Sequence, residues 1–145
     1  MANVIKLRKG LDINLKGIAA KELVSVKEPG IYSLVPDDFT GVKPKVVVKE
    51  GENVLAGGPL FVDKNHPEVK FVSPVSGVVT SVERGERRKV LNIIVKADEN
   101  QQYVEFGKMN LAELNAEQVK EALMNAGLFA FFRQRPFDVV PDPRS

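Results

Sequence analysis

Val48-Lys-Glu-Gly51-Glu-Asn-Val-Leu-Ala-Gly-Gly-Pro-Leu60 lies without a gap over Val82-Glu-Arg-Gly85-Glu-Arg-Arg-Lys-Val-Leu-Asn-Ile-Ile94, at an offset of 34 residues. In both copies an apolar residue precedes a glycine turn, a Glu follows the glycine, and an apolar strand resumes. Between the copies stands Ser73-Pro74-Val75-Ser76-Gly77-Val78-Val79. Two similar β-hairpin units about a Pro-x-x-Gly turn predict a small folded-over sandwich with quasi-twofold symmetry. Short runs of Val, Ile and Phe between glycines are typical strand material. They place strands at 46–48, 60–62, 71–73, 78–82 and 90–96.

Biotin- and lipoate-carrier domains have this design. The expected fold class is therefore mainly β, a barrel-sandwich hybrid of the biotinyl/lipoyl-carrier type, followed by a short helical segment that begins a second, truncated domain. Residues 1–45 carry turn signals at Gly10, Gly17, Pro29-Gly30, Pro36 and Pro44. They are expected to supply short strands at 4–7 and 31–34, with loops that pack on the sandwich, whose core is residues 46–98. Residues 99–137 form a linker, a helix and a Phe-rich segment, and 138–145 are a tail. Asn115-Ala-Glu-Gln118 has the capping-box pattern, in which a side-chain acceptor at the N-cap is answered by a Gln three residues on. Val119, Ala122, Leu123 and Ala126 follow at helical spacing and Gly127 suits a C-cap, which predicts a helix over 116–126. A shorter turn is expected at Leu111 and Leu114.

The next segment, Leu128-Phe-Ala-Phe-Phe-Arg-Gln-Arg-Pro-Phe137, holds four of the chain's eight phenylalanines. Aromatic side chains bury large areas and normally sit under something, yet only a proline-punctuated tail follows. Either the segment folds back on the sandwich or, as expected, the chain is a piece of a longer one and Phe129, Phe131, Phe132 and Phe137 are core of a domain that begins here. The sharper alternative makes them an exposed aromatic surface for a partner.

Composition sets limits. Of 145 residues, 43% are apolar, enough for one domain core, and no apolar run approaches the roughly 18 residues of a membrane span. The first ten residues mix charge into their apolar positions and lack the apolar stretch of a secretory signal. With no cysteine, disulfides, thiolate nucleophiles and cysteine-ligated iron–sulfur or zinc sites are excluded. A net charge of +2 leaves no overall footprint for nucleic acid. Basic residues do cluster, at Lys6, Arg8, Lys9 and Lys16 and again at Arg84, Arg87, Arg88 and Lys89. Such charges discourage edge pairing of strands or dock an acidic partner surface.

Catalytic constellations are not visible. Asp63-Lys64 sits where a lipoyl domain carries its modified lysine, which needs an exposed tip. Here the loop from Lys64 to Pro74 is longer than the lipoyl pattern, Asn65 and not Ala follows the lysine, and the biotin carrier's Met-Lys-Met is absent. Lys64 is thus expected to be an ordinary hairpin lysine, with a carrier role as the alternative function. His66, the only histidine, is too little for a metal site of three or four ligands or for a triad, and is read as an exposed turn residue. Gly57-Gly58-Pro59 opens no helix, so no phosphate cradle follows.

Several segments carry a family resemblance: Ile5-Lys-Leu-Arg-Lys-Gly-Leu-Asp12, Val48-Lys-Glu-Gly51, Leu60-Phe-Val-Asp-Lys64, Ser73-Pro-Val-Ser-Gly77, Arg84-Gly-Glu-Arg87 and Arg135-Pro-Phe137. Over nearly the whole chain, and in the same order, they resemble the start of the A subunits of the bacterial sodium-translocating NADH:quinone oxidoreductases. The same module is similar to the start of the C subunit of the Rnf-type electron-transport complex. The resemblance implies the N-terminal third of a peripheral subunit on the cytoplasmic face of the bacterial inner membrane. Its partners would be the other pump subunits, especially the membrane-embedded one on the quinone side. It also implies a complex that uses NADH, flavins, iron–sulfur centres, ubiquinone or menaquinone, and sodium, with no cofactor in this chain and no activity of the chain alone.

Glu117-Gln-Val-Lys-Glu-Ala-Leu-Met-Asn-Ala-Gly-Leu128 looks like the helix that opens the flavin domain of the Rnf-type protein, where a Gly-rich loop follows. Here no glycine follows between 129 and 137, and bulky side chains block the close backbone approach of a phosphate cradle. The scaffold is expected to be kept and the flavin lost. The candidate partner contacts are Arg84, Arg87 and Arg88 on one side and Phe129, Phe131 and Phe132 on the other.

Overall fold

The computed structural model describes residues 16–144. The expected strand at 4–7, the basic residues Lys6, Arg8 and Lys9, and the resemblance-bearing segment at 5–12 lie outside the described residues. The described chain runs β1 (Ile31–Leu34), β2 (Pro44–Val46), β3 (Asn53–Val54), β4 (Pro59–Asp63), β5 (Lys70–Val72), β6 (Gly77–Arg84), β7 (Val90–Ala97) and α1 (Ala116–Asn125). Two antiparallel sheets result, one ordered β1-β7-β6-β3 and the other β2-β4-β5.

The 34-residue offset is written into the register. In the second copy Val82 faces Ile93 across β6 and β7. Shifted back by 34 residues, that pair is Val48 opposite Pro59, which continues the β2–β4 register of Val46 opposite Phe61. The Val47 N–H donates to the Leu60 carbonyl at 3.1 Å, so the ladder does extend that way. The copies differ in their tips. Five residues (85–89) turn the second hairpin, whereas the first lets its connection cross to the other sheet, where Asn53 pairs with Val78 as β3. This crossing stitches the two layers together.

The core lies between the sheets. Leu60, Phe61, Phe71, Val79, Ile93 and Val95 are almost wholly inaccessible. Phe61 and Phe71 stack with ring centres 4.3 Å apart, and Phe39 meets Phe71 edge-on at 4.6 Å, both favourable aromatic geometries. Alternate residues of β5, β6 and β7 supply this layer because side chains on a strand alternate between faces, whereas β4, with a register shift between Pro59 and Phe61, buries Leu60, Phe61, Val62 and Asp63 in succession. Gly77 sits where β6 comes closest to β7: a Cβ there would lie 1.9 Å from the Lys96 carbonyl oxygen. The preceding turn is tied internally, with the buried Ser73 hydroxyl donating to the Val75 carbonyl at 2.6 Å. Ser76 is buried too, and its Oγ accepts from the Gln102 N–H at 2.9 Å.

The helix forms as its caps predict. Asn115 and Gln118 exchange side-chain-to-backbone bonds of 2.9 Å each. At the other end the Leu128 N–H bonds the Leu123 carbonyl and the Gly127 N–H bonds that of Met124, the paired arrangement of a Schellman turn. A short 3-10 turn, Leu111–Glu113, precedes the helix, where one was expected. None of the described helices is long and apolar enough to cross a membrane.

Candidate docking surfaces

The β6–β7 hairpin projects its basic residues outward, and Arg84, Arg87, Arg88 and Lys89 are all exposed. The loop is closed by the Gly85 N–H on the Lys89 carbonyl (2.8 Å) and the Lys89 N–H on that of Glu86 (3.1 Å). Lys89 is paired at the surface, with its Nζ 2.6 Å from Asp37 on the 3-10 turn Pro36–Asp38. Arg84 reaches the Arg88 carbonyl at 3.4 Å. Among the described residues neither the Arg87 nor the Arg88 guanidinium has a partner. Both residues hold left-handed backbone angles, φ 54° and 63°, which cost an L-residue with a Cβ about 1–2 kcal/mol each. The hairpin therefore presents two free guanidiniums on a backbone that neither residue favours.

The Phe-rich segment divides. After Gly127 a 3-10 turn, Phe129–Phe131, sends Phe129 and Ala130 into the sandwich at 9% and 1% exposure. Phe131, Phe132 and Phe137 stay 68%, 50% and 80% exposed. Of the four rings Phe129 alone is buried, folded back into the sandwich core, and it is thereby withdrawn from the surface. The turn is held firmly: the Arg133 guanidinium donates to the Ala130 and Asp38 carbonyls at 3.1 Å each and lies 5.7 Å over the Phe39 ring. Leu123, Leu128, Phe131 and Phe132 line an open trough of about 260 Å³.

Beyond the helix end Phe129 and Ala130 are packed into the sandwich core, and no glycine lies between 129 and 137.

The Lys64 loop is exposed but not a free tip. The buried Asp63 carboxylate accepts from the Lys43 and Asn65 N–H groups at 3.2 and 3.1 Å, and the Lys64 N–H donates to the Lys43 carbonyl at 2.7 Å. His66 departs from its expected exposure. Its side chain is 22% exposed, with Nδ1 3.6 Å from Asp142 and 4.0 Å from Glu68. The cause is the tail, which runs back over this loop. Val140 bonds Thr40 backbone to backbone, Lys120 donates to the Pro143 carbonyl, and Arg144 bonds Glu68 at 3.2 Å. A backbone N–H bond is the main cause that holds the Glu68 carboxyl below its usual range; burial opposes it, and Arg144 adds further lowering. Sequence reading missed this clasp, because Glu68 and Arg144 are 76 positions apart. Among the described residues no cluster of three His, Asp or Glu side chains is arranged to hold a metal ion.

Comparison with known proteins follows the same division of the chain. Residues 5–98 match the family model of the NqrA N-terminal barrel-sandwich hybrid domain, and residues 114–145 that of the NqrA second alpha/beta domain. The Na(+)-translocating NADH-quinone reductase A subunit of Pseudomonas aeruginosa (strain UCBPP-PA14) is 36% identical over 98% of this chain and 32% of its own length. The A subunits of Actinobacillus pleuropneumoniae serotype 5b and of Hahella chejuensis are 35% and 37% identical, each over 95% of this chain and 31% of theirs. The chain thus spans about a third of the length of the curated relatives it matches. With a shared architecture and a family match over most of its residues, the chain belongs to the family of NqrA N-terminal barrel-sandwich hybrid domains.

Proposed function

We propose that this chain is the N-terminal structural and docking module of the A subunit in a sodium-translocating NADH:quinone reductase. It would work on the cytoplasmic face of the bacterial inner membrane and carry no electron itself. The observation that carries the reading is likeness along 98% of the chain to relatives bearing that subunit's name. NADH, flavins, iron–sulfur centres, quinone and sodium belong on this reading to the whole complex. On this reading residues 46–98 are the sandwich core, and 99–137 lead into the second domain.

The structure of the hairpin supports a docking role for Arg84, Arg87 and Arg88. Unfavourable backbone angles concentrate where function holds them, and unpaired guanidiniums are ready to bind carboxylates bidentately. The surface they suit is acidic and belongs to another polypeptide of the complex, with the membrane-embedded quinone-side one preferred. Phe131 and Phe132 are the second candidate contact.

Reversing all three charges (Arg84→Glu, Arg87→Glu, Arg88→Glu) is expected to leave Tm almost unchanged, since exposed charges contribute about 0–1 kcal/mol each. In the full-length protein it should lower recovery of the other subunits at low salt. The difference should fade as added salt shortens the screening length from about 10 Å at 0.1 M to about 3 Å at 1 M. Undiminished recovery at low salt would reduce the hairpin to a solvated turn.

Coexpression with a lipoyl or biotin ligase is expected to leave the intact mass unchanged, because the Lys64 loop is tied at Asp63 and clasped by Arg144. A gain matching one lipoyl or biotinyl group at Lys64 would overturn the docking reading in favour of a carrier domain.

A further inference from the structure

A cavity of about 390 Å³ opens where β6 begins and β7 ends. Both tyrosines of the chain, Tyr32 and Tyr103, line it. Glu28, Asp98 and Glu99 line it as well, and no lysine or arginine does. In a chain of net charge +2, this is a local reversal of sign. Among the described residues none of the three carboxylates has a hydrogen bond or an ion pair.

The walls are held in place. The Ala97 N–H donates to the Gly30 carbonyl at 3.0 Å, and the Asp98 N–H to that of Ser76 at 2.9 Å. Gln101 clamps the same turn: its Oε1 accepts from the Ser76 N–H at 2.8 Å and its Nε2 donates to the Asp98 carbonyl at 2.7 Å. Ser76 itself is buried. The cavity is thus formed before anything enters it, and such pre-organisation lowers the cost of binding.

Its chemistry selects a flat cation. Aromatic faces attract positive charge through the ring quadrupole, and unpaired carboxylates accept its hydrogens. An arginine side chain meets both demands, because its planar guanidinium stacks on rings and pairs with a carboxylate through two parallel bonds. The place on the hairpin adds direction. Gly77 faces Ala97 at this end, and Arg84 faces Val90 at the other. At about 3.3 Å per residue, the two ends of the strand are about 23 Å apart.

We propose that this cavity is a socket for an arginine side chain on a cytoplasmic loop of a membrane-spanning partner. Loops on that side of a membrane carry an excess of lysine and arginine. The socket is opposite in sign to the contact made by Arg84, Arg87 and Arg88. One hairpin with an acidic end and a basic end then fits its partner in a single orientation. The partner's place rests on the docking reading above, whereas the preference for a guanidinium rests on the cavity alone.

Both tyrosines lie at the cavity and the chain has no tryptophan, so tyrosine signals report on it directly. The 145-residue chain is titrated at fixed ionic strength with acetyl-Gly-Arg-Gly amide. A parallel titration uses the same peptide with citrulline for arginine, which keeps the shape and removes the charge. The arginine peptide should shift the tyrosine ring resonances saturably in the millimolar range, and the citrulline peptide should bind at least about tenfold more weakly. Asp98→Asn with Glu99→Gln should weaken the arginine peptide by about fivefold and leave the fold intact, since both residues are exposed. Equal responses to the two peptides, or no tyrosine response, would overturn the proposal. A second measurement reads the partner. In the assembled complex, Asp98→Lys with Glu99→Lys should lower recovery of the other subunits at low salt. Unchanged recovery with an unchanged Tm would take the socket off the interface and overturn the proposal too. The titration contains no other subunit, so its failure leaves the arginine docking surface standing.

Discussion

Gly77→Ala is expected to remove more than about 3 kcal/mol of stability, at or beyond the upper end for an overpacked interior, and to leave little folded protein. The added methyl would sit 1.9 Å from the Lys96 carbonyl oxygen, 2.8 Å from its carbon and 3.0 Å from the Ala97 Cα. All three are backbone atoms, so no rotamer change relieves the contact. Relief requires β6 to part from β7 at the Gly77–Ala97 pair. That separation would also disturb the Asp98 N–H bond to the Ser76 carbonyl and the β3 pairing at Val54. Domains of this size are stable by only about 5–15 kcal/mol, so the loss is a large share of the whole. Gly30→Ala is the control, because nothing lies within 4 Å of a Cβ there. Urea midpoints for the two variants check the expectation. A loss below about 1 kcal/mol for Gly77→Ala would mean that the strands are less closely apposed.

The parts of the fold that depend on neighbours in sequence were readable from it. Asn115 and Gln118 are three residues apart, and their exchange of bonds is local. The repeat at 34 residues foretold two hairpins because like sequences turn and pair alike. Even there the edges moved: the strand expected at 46–48 is Pro44–Val46, with Val47 adding only one further bond, to the Leu60 carbonyl. The two-residue strand Asn53–Val54 was invisible because it exists only through its partner Val78. The left-handed angles of Arg87 and Arg88 were equally hidden, as a Glu-Arg-Arg sequence predicts no such turn.

The candidate surfaces were legible by residue type and illegible by direction. Composition marks Phe129, Phe131 and Phe132 as one aromatic group. Only the 3-10 turn, set by Gly127 before it and Arg133 after it, sends the first inward and the other two outward. His66 was misplaced for a similar reason, because its cover is a tail whose chain positions lie far from it. The alternation of apolar residues says that something is buried. It does not say which long-range partner covers the rest.

Gly127 is where local and long-range requirements meet, and Gly127→Ala is expected to cost about 2–5 kcal/mol, the torsional and steric parts together. The torsional part arises because φ is +72°, which costs an L-residue about 1–2 kcal/mol. The remainder is steric, because the Cβ would lie 2.7 Å from both methyls of Val72 on β5, and overpacking typically costs about 1–3 kcal/mol. Val72 is β-branched and stiff about χ1, so it cannot swing aside without moving its strand. A double-mutant cycle separates the two contributions. In a Val72→Ala background the methyls are gone, and Gly127→Ala should cost only its torsional part. Gly127→Asn in that background should cost less still, since Asn tolerates the left-handed region through local hydrogen bonds of its short side chain. Denaturant midpoints of the parent chain and these variants give the coupling directly. Equal costs for Gly127→Ala in the two backgrounds would show that helix end and strand do not meet as described. A coupling above about 1 kcal/mol, in the range seen for residues in contact, would establish that the C-cap glycine serves the sandwich as well as its own helix. The same contact then fixes the direction of Phe131 and Phe132, because the turn that aims them starts from the pose of Gly127 on Val72.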